Sequence, residues 1–182
     1  MEEAFFLQTE ETGGMHTAPG VRILLYALAK LIGAQTILET GYDAGYTTRA
    51  LALTGARVTG IDNLSEYAEF DDAAHAMLAD YDNVTLIEGD AQEYLYYHED
   101  ESFDLIFIDD WHKKEYVRGE ANAVERVLRS GGIAVFHDTV YHQHLGDIMD
   151  EGFKGWQRLD LPAPSPVSGG DMGITVLRKP KA

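Results

Sequence analysis

Five short apolar runs, at 36–40, 57–61, 84–88, 103–109 and 132–137, alternate along this chain with segments whose apolar residues recur at helical spacing. Parallel strands need long crossovers between them, and helices satisfy that need while covering both faces of the sheet. The alternation therefore predicts an α/β fold, with a mostly parallel, doubly wound sheet. Helices are expected at 19–33, 46–54, 66–80, 91–97 and 114–129, with a short one near 142–150. In the first of these, Val21, Leu24, Leu25, Leu28, Leu31 and Ile32 share a stripe, after Thr17 as a candidate cap and Pro19, which suits a first turn. Two further strand-like runs, 153–161 and 172–178, flank 162–170, a stretch too rich in Pro, Gly and Ser for regular structure and readable as either a lid or a hairpin loop.

The first strand runs into Glu39-Thr40-Gly41-Tyr42-Asp43-Ala44-Gly45-Tyr46-Thr47-Thr48. Glycines at 41 and 45 let backbone approach a ligand closely, and the acid Asp62 at the end of the second strand is placed to bond ribose hydroxyls. A dinucleotide site would use G-x-G-x-x-G, whereas this loop reads E-x-G-x-x-x-G-Y-T and lacks the middle glycine. It resembles the first motif of class I S-adenosylmethionine-dependent methyltransferases, especially the metal-assisted small-molecule O-methyltransferases. That resemblance implies S-adenosylmethionine as cofactor, held by Glu39, Gly41, Gly45, Tyr46, Thr47, Asp62 and Asn63. It also implies a Rossmann-like sheet of seven strands whose last strand enters antiparallel, and it extends from about residue 20 to the C-terminus.

Open parallel sheets bind ligands at the carboxyl ends of their strands. Those ends carry one acid each: Glu39, Asp62, Asp90, Asp109 and Asp138. An acid after a strand is commonly a helix cap or a loop residue, and Asp90 can be read as the cap of helix 91–97. Glu88-Gly89-Asp90-Ala91 also resembles the family's glycine-aspartate-alanine turn, which implies Asp90 beside the adenine amino group and Ala91 beside the ring. The fourth strand, Phe103 to Asp109, is followed by a histidine at 112, and Leu128 to Thr139 contains Gly131-Gly132-Ile133-Ala134-Val135-Phe136-His137-Asp138. This order is similar to that of methyltransferases related to the catechol and macrocin O-methyltransferases.

Strands four and five are expected to be neighbours, so Asp109 and Asp138 would meet at the cleft mouth, where two anions need a cation or a shared proton. The resemblance implies a divalent metal, magnesium or manganese, on Asp109, Asp138 and a third ligand, and it gives Asp109 a share in cofactor binding and catalysis. The chain departs from the family at that third ligand. Catechol-type enzymes have Asn where Thr139 stands, and macrocin-type enzymes have an acid where His137 stands; a histidine there weakens the magnesium reading and favours manganese, iron or no metal. His112 is the candidate general base, because imidazole titrates near neutral pH. It occupies a position where catechol-type relatives use Lys. The macrocin-type pattern would put a base at 111, but Trp111 cannot accept a proton and is read as a wall of the acceptor pocket. The alternative for His112 is a loop residue bonding a carbonyl. No zinc cluster is expected from His137, His142 and His144, since 142 and 144 do not share a helical face. Tyr94, Tyr96 and Tyr97 are expected to pack their helix on the sheet, and Asp71-Asp72 to form a solvated helix face.

With 182 residues the chain has room for one domain, 1–182, of which 1–18 reads as a flexible N-terminal segment. A net charge of −17 argues against the basic surface that phosphate neutralisation requires, so a nucleic-acid partner is not expected. No apolar stretch is long enough for a membrane span. Cysteine is absent, which removes disulfides and thiolate chemistry and makes a cytoplasmic location the default. The expected partner is a small-molecule acceptor, and the first helix and edge strands could support a homodimer. Three functions follow in order: methyl transfer to a hydroxyl, a non-catalytic cofactor-binding module or partner subunit, and a nicotinamide-dependent oxidoreductase. The glycine spacing disfavours the last.

Overall fold

The computed structural model describes residues 17–63, 68–165 and 170–181. Its elements are α1 (Pro19–Ile32), β1 (Thr36–Thr40), α2 (Tyr46–Ala52), β2 (Arg57–Asp62), α3 (Ala68–Leu78), β3 (Val84–Glu88), α4 (Ala91–Tyr97), β4 (Phe103–Ile108), α5 (Lys114–Val127), β5 (Leu128–His137), α6 (Gln143–Gly152), β6 (Gln157–Leu161) and β7 (Ile174–Arg178). The strands form one seven-stranded sheet in the order β3-β2-β1-β4-β5-β7-β6, parallel except that β7 runs antiparallel to both of its neighbours. The strand order reverses between β1 and β4, so ligand-binding loops are expected above that pair.

Successive residues of a strand face opposite sides, and the core divides accordingly. Ile37, Leu105, Phe107, Ile133 and Val135 pack with Val21, Leu25 and Ala29 of α1 and Leu51 of α2. Leu38, Ile106, Ile108, Ala134 and Phe136 pack with Leu95 of α4, Val117 and Val124 of α5 and Leu145 of α6. The same parity sets where the last residue of each strand points. Glu39, Asp109 and His137 continue the α1/α2 side, whereas Thr40 continues the α5 side.

Several local expectations are corrected. The expected helix 114–129 ends at Val127, and β5 begins at Leu128 rather than at 132. Arg129 is drawn into the sheet beside the start of β4 instead, with Nη1 2.8 Å from Asp104 Oδ1 and Nε 2.8 Å from the Glu101 carbonyl. The extra residues are absorbed in a bulge between the pairs Phe103–Leu128 and Leu105–Ile133. Thr17 does not cap α1; Ala18 occupies that position without a side-chain hydrogen bond. The segment 1–18 lies outside the described residues apart from Thr17 and Ala18, which are both buried. Tyr94 packs against the core, but Tyr96 and Tyr97 point to solvent. The strand expected at 153–161 starts only at Gln157, after a turn at Gly155 with φ 85°. Within 162–170, Ser165 N–H donates to the Gly170 carbonyl and Pro164 bridges Asp171, the base of a hairpin loop. No helix among the described residues is long and apolar enough to cross a membrane.

Candidate functional site

The loop after β1 is held by close approach on two sides. Gly41, at φ 77°, donates its N–H to the Ile61 carbonyl, and a Cβ on it would lie 2.4 Å from the carbonyl oxygen of Asp109. Gly45, at φ 84°, precedes α2, and a Cβ there would press on Leu78 and Ala74 of α3. Only glycine fits either place without displacement. Between them Asp43, at φ 45°, donates its backbone N–H to Asp62 Oδ2 at 2.8 Å. Asp62 therefore braces the loop with one oxygen, and a carboxylate has further lone pairs to offer a hydroxyl. Burial raises its pKa. Asn63 follows it, exposed.

Glu39 is buried beneath this loop and accepts from the Thr48 hydroxyl on α2. Burial is the main reason its pKa rises to about 8, despite that bond. Thr47 is buried, Tyr46 is half-buried, and the Arg22 guanidinium stands 5.5 Å from the centre of the Tyr46 ring. Asp90 caps α4, accepting from Glu93 N–H at 2.8 Å, and Ala91 is buried behind it. The cap does not conflict with a ligand contact through the other oxygen. Asp71 is more than a solvated acid, since Tyr42 donates to it at 2.9 Å and so ties α3 to the loop.

Asp109 and Asp138 follow the adjacent parallel strands β4 and β5, and the pairing of Ile108 with Phe136 puts Asp109 level with His137. The structure gathers these three. His137 Nδ1 stands 3.0 Å from Asp109 Oδ1 and 3.0 Å from Asp138 Oδ1. Neither contact has the direction of a hydrogen bond, and Nδ1 and Asp138 Oδ1 are buried without a hydrogen-bond partner. Burial pulls the pKa of His137 down, but the carboxylates of Asp109 and then Asp138 outweigh it and raise it to about 10. Burial pushes that of Asp138 up, and His137 more than offsets this, leaving it below the ordinary value. Asp138 itself has φ 60°, a conformation an L-residue adopts at some cost and one that turns the chain out of β5.

These donors fit a divalent ion. Cis ligands with metal bonds near 2.1 Å lie about 3.0 Å apart, which is the spacing of the His137 nitrogen from each carboxylate oxygen. An ion would satisfy both unpartnered atoms, once His137 had released its proton. Without one, the imidazolium serves as the cation between the two acids.

His112 lies in the loop after β4 with Nε2 3.1 Å from Asp138 Oδ2, and its pKa is lowered by burial, the acids opposing. Burial thus favours its neutral form, and a carboxylate stands within reach to orient it. Trp111 is half exposed beside it, with Lys113 Nζ 4.2 Å from the centre of its ring.

Three features were not found in the sequence. Thr17 donates to Asp109 Oδ2 at 2.7 Å, bringing the start of α1 to the site. Asp110 faces the fully buried Glu120 of α5 near Thr40, and burial raises both acids. Two carboxylates can satisfy one another only through a shared proton. The third is His142, whose ring stacks on that of His112 at 4.8 Å and 11°. The histidines at 142 and 144 do not form a cluster by sharing a helix face; His142 meets a residue of another loop. A different cleft, about 460 Å³ and lined by Thr36, Arg57, Asn83 and Arg129, opens toward the amino ends of the strands, away from these acids.

Residues 38–139 match the family described as a methyltransferase domain. A Mycobacterium tuberculosis protein named "Probable O-methyltransferase" is 37% identical over 144 residues, which cover 75% of this chain and 62% of that protein. A relative from Mycolicibacterium smegmatis is 34% identical over 147 residues, covering 77% of this chain and 68% of its own length. The chain thus spans about 62% of the length of the first of these relatives. Among solved structures, the O-methyltransferase TomG from Streptomyces achromogenes, in complex with S-adenosylmethionine, superposes with a TM-score of 0.77 at 19% identity, over 98% of this chain and 88% of that one. An O-methyltransferase from Bacillus cereus in complex with S-adenosylhomocysteine gives 0.75 at 21% identity, over 98% and 89%. At such identities the likeness concerns the fold.

Proposed function

Because the chain belongs to the methyltransferase domain family, we propose that it is an S-adenosylmethionine-dependent methyltransferase acting on a hydroxyl of a small-molecule acceptor, with residues 1–182 as one cofactor-binding domain. The observation that carries this reading is the meeting of Asp109, His137, Asp138 and His112 directly beside the Gly41 loop. The cofactor would be held by Gly41, Gly45, Tyr46, Thr47, Asp62, Asn63, Asp90, Ala91 and Asp109, with Glu39 acting from beneath through Thr48. When bound, it supplies an electrophilic methyl group on a sulfonium.

The chain's own residues then have three tasks. The glycine loop and Asp62 fix one reactant against the end of β4, which is how alignment lowers the barrier to an in-line displacement. His112, neutral and oriented by Asp138, accepts the acceptor's proton. Asp109, His137 and Asp138 would hold a divalent ion, manganese or magnesium, which would supply acidification of the acceptor hydroxyl. A cytoplasmic setting and a homodimer belong to this reading. The homodimer is supported by Ile23 and Leu31 of α1, which are 45% and 81% exposed.

A second reading has one observation in its favour. His137 stands with Nδ1 3.0 Å from both acids and, with its pKa raised to about 10 by them, offsets one of their two negative charges, as a binding module that has dispensed with the metal would require. Calorimetric titration with S-adenosylmethionine, S-adenosylhomocysteine and NADH tests the cofactor first. Micromolar binding of the two adenosyl-sulfur ligands alone is expected; folded protein that binds neither overturns the proposal. Cofactor binding without methylation across a broad panel of hydroxyl acceptors favours the second reading.

A further inference from the structure

Asp138 turns its two carboxylate oxygens toward two different groups of ligand atoms. Oδ1 faces His137 and Asp109, whereas Oδ2 faces His112. On the Oδ2 side, one donor atom each of His112, Asp138 and His142 lie within 4.8 Å of one another, a grouping separate from that of Asp109, His137 and Asp138. The backbones that carry these residues are fixed independently of any ion, whereas the His142 ring, stacked on that of His112 at 4.8 Å and 11°, must turn about its side-chain torsions to bring both nitrogens onto one ion. His142 N–H donates to the Asp138 carbonyl at 2.9 Å, so the turn after β5 places its ring. His144 Nε2 lies 2.7 Å from the His112 carbonyl, which fastens the β4 loop to α6.

We propose that His112, His142 and Asp138 form a second metal site, selective for borderline divalent ions of the zinc, cobalt and nickel class over magnesium. Two imidazoles and one carboxylate are the donor set of open zinc sites, and the 3.1 Å between His112 Nε2 and Asp138 Oδ2 fits two ligands sharing one ion. Imidazole nitrogen discriminates against magnesium, which demands oxygen and keeps its waters. The half-exposed rings leave an open coordination position toward solvent. An ion on Nε2 leaves the neutral ring's one proton on Nδ1, so His112 has no lone pair left for the acceptor's proton in the proposed methyl transfer, and the site is inhibitory. That consequence rests on the functional reading above; the binding itself does not.

The test separates the two. Zinc is titrated into the full chain by calorimetry while imidazole ¹⁵N shifts are followed by long-range proton–nitrogen correlation. Zinc binding with ring-nitrogen shifts at His112 and His142 is expected, unaffected by a thousandfold excess of magnesium. In His142→Ala the affinity at this site falls at least tenfold, whereas in Asp109→Asn it changes by less than threefold. Zinc binding that is lost in Asp109→Asn and kept in His142→Ala, or ring nitrogens of His112 and His142 that do not move, overturns the proposal. The wild-type shifts decide the matter if His142→Ala fails to fold. Loss of methyl transfer on zinc addition, restored by a chelator, checks the inhibitory role alone.

Discussion

The hydroxyl of Thr17 donates to Asp109 Oδ2 at 2.7 Å, joining the start of α1 to the end of β4 across 92 positions of sequence. Hydrogen bonds to an ionised partner contribute more than neutral ones. Thr17→Val, which keeps the shape and removes the donor, is expected to lower unfolding stability by about 1–2 kcal/mol, read by urea denaturation.

Asp62 and Asp109 are expected to separate binding from turnover. Asp62→Ala removes the acceptor for Asp43 N–H and the proposed ribose contact, weakening cofactor binding by about tenfold or more. Asp109→Ala is expected to abolish turnover while weakening cofactor binding less than Asp62→Ala does. Unchanged turnover in Asp109→Ala would remove the metal and acceptor assignment.

Gly41→Ala places a methyl 2.4 Å from the Asp109 carbonyl, in a backbone conformation with φ 77°. Neither the loop nor the strand end can yield cheaply, since both are backbone. A loss of at least about 2 kcal/mol in stability is expected, together with loss of cofactor binding, measured by thermal unfolding with and without ligand.

Glu39 makes stability depend on pH. Its pKa in the folded chain is about 8 against an ordinary 4.5, so the native state binds more protons between those values. Stability is then full below pH 4.5 and declines toward pH 8, by at most about 1.4 kcal/mol per pH unit. His137, raised to about 10, extends the decline above its ordinary range. Glu39→Gln should flatten the portion between pH 4.5 and 8 only. An unaltered slope in denaturation curves across that window would show that Glu39 does not titrate there.

His112 sets the acid limb of the rate profile. Burial lowers its pKa below 6.5, so the neutral form predominates at pH 6.5 and the acid limb should have its midpoint on the acid side of that value. His112→Gln is expected to lower kcat by about 10²–10⁴-fold and remove that limb, with cofactor affinity retained.

Much of this arrangement was legible because strand order makes distant residues neighbours. Alternation of strand and helix placed Asp109 beside the end of β5, and the glycines at 41 and 45 marked the places where a side chain would collide. The less legible parts lie where loops meet. His142 finds His112 through the turn after β5, and no periodicity links positions on two loops. Thr17 has the residue type of a cap, yet Asp109 claims its hydroxyl. The helical pattern of α5 overruns its end by two residues because Leu128 and Arg129 suit a helix locally, while Asp104 and the Glu101 carbonyl hold Arg129 in an extended chain. Tyr96 and Tyr97 show the same limit from the other side, being aromatic but turned to water.

The contact between Gly41 and the Asp109 carbonyl leaves less than a methyl group between the β1 loop and the end of β4. Movement of one must carry the other, so an occupant of the loop and the proposed ion on Asp109 would report on the same displacement. Thermodynamic reciprocity then applies: whatever factor the ion applies to cofactor affinity, the cofactor applies to ion affinity, and the two dissociation constants form a closed cycle.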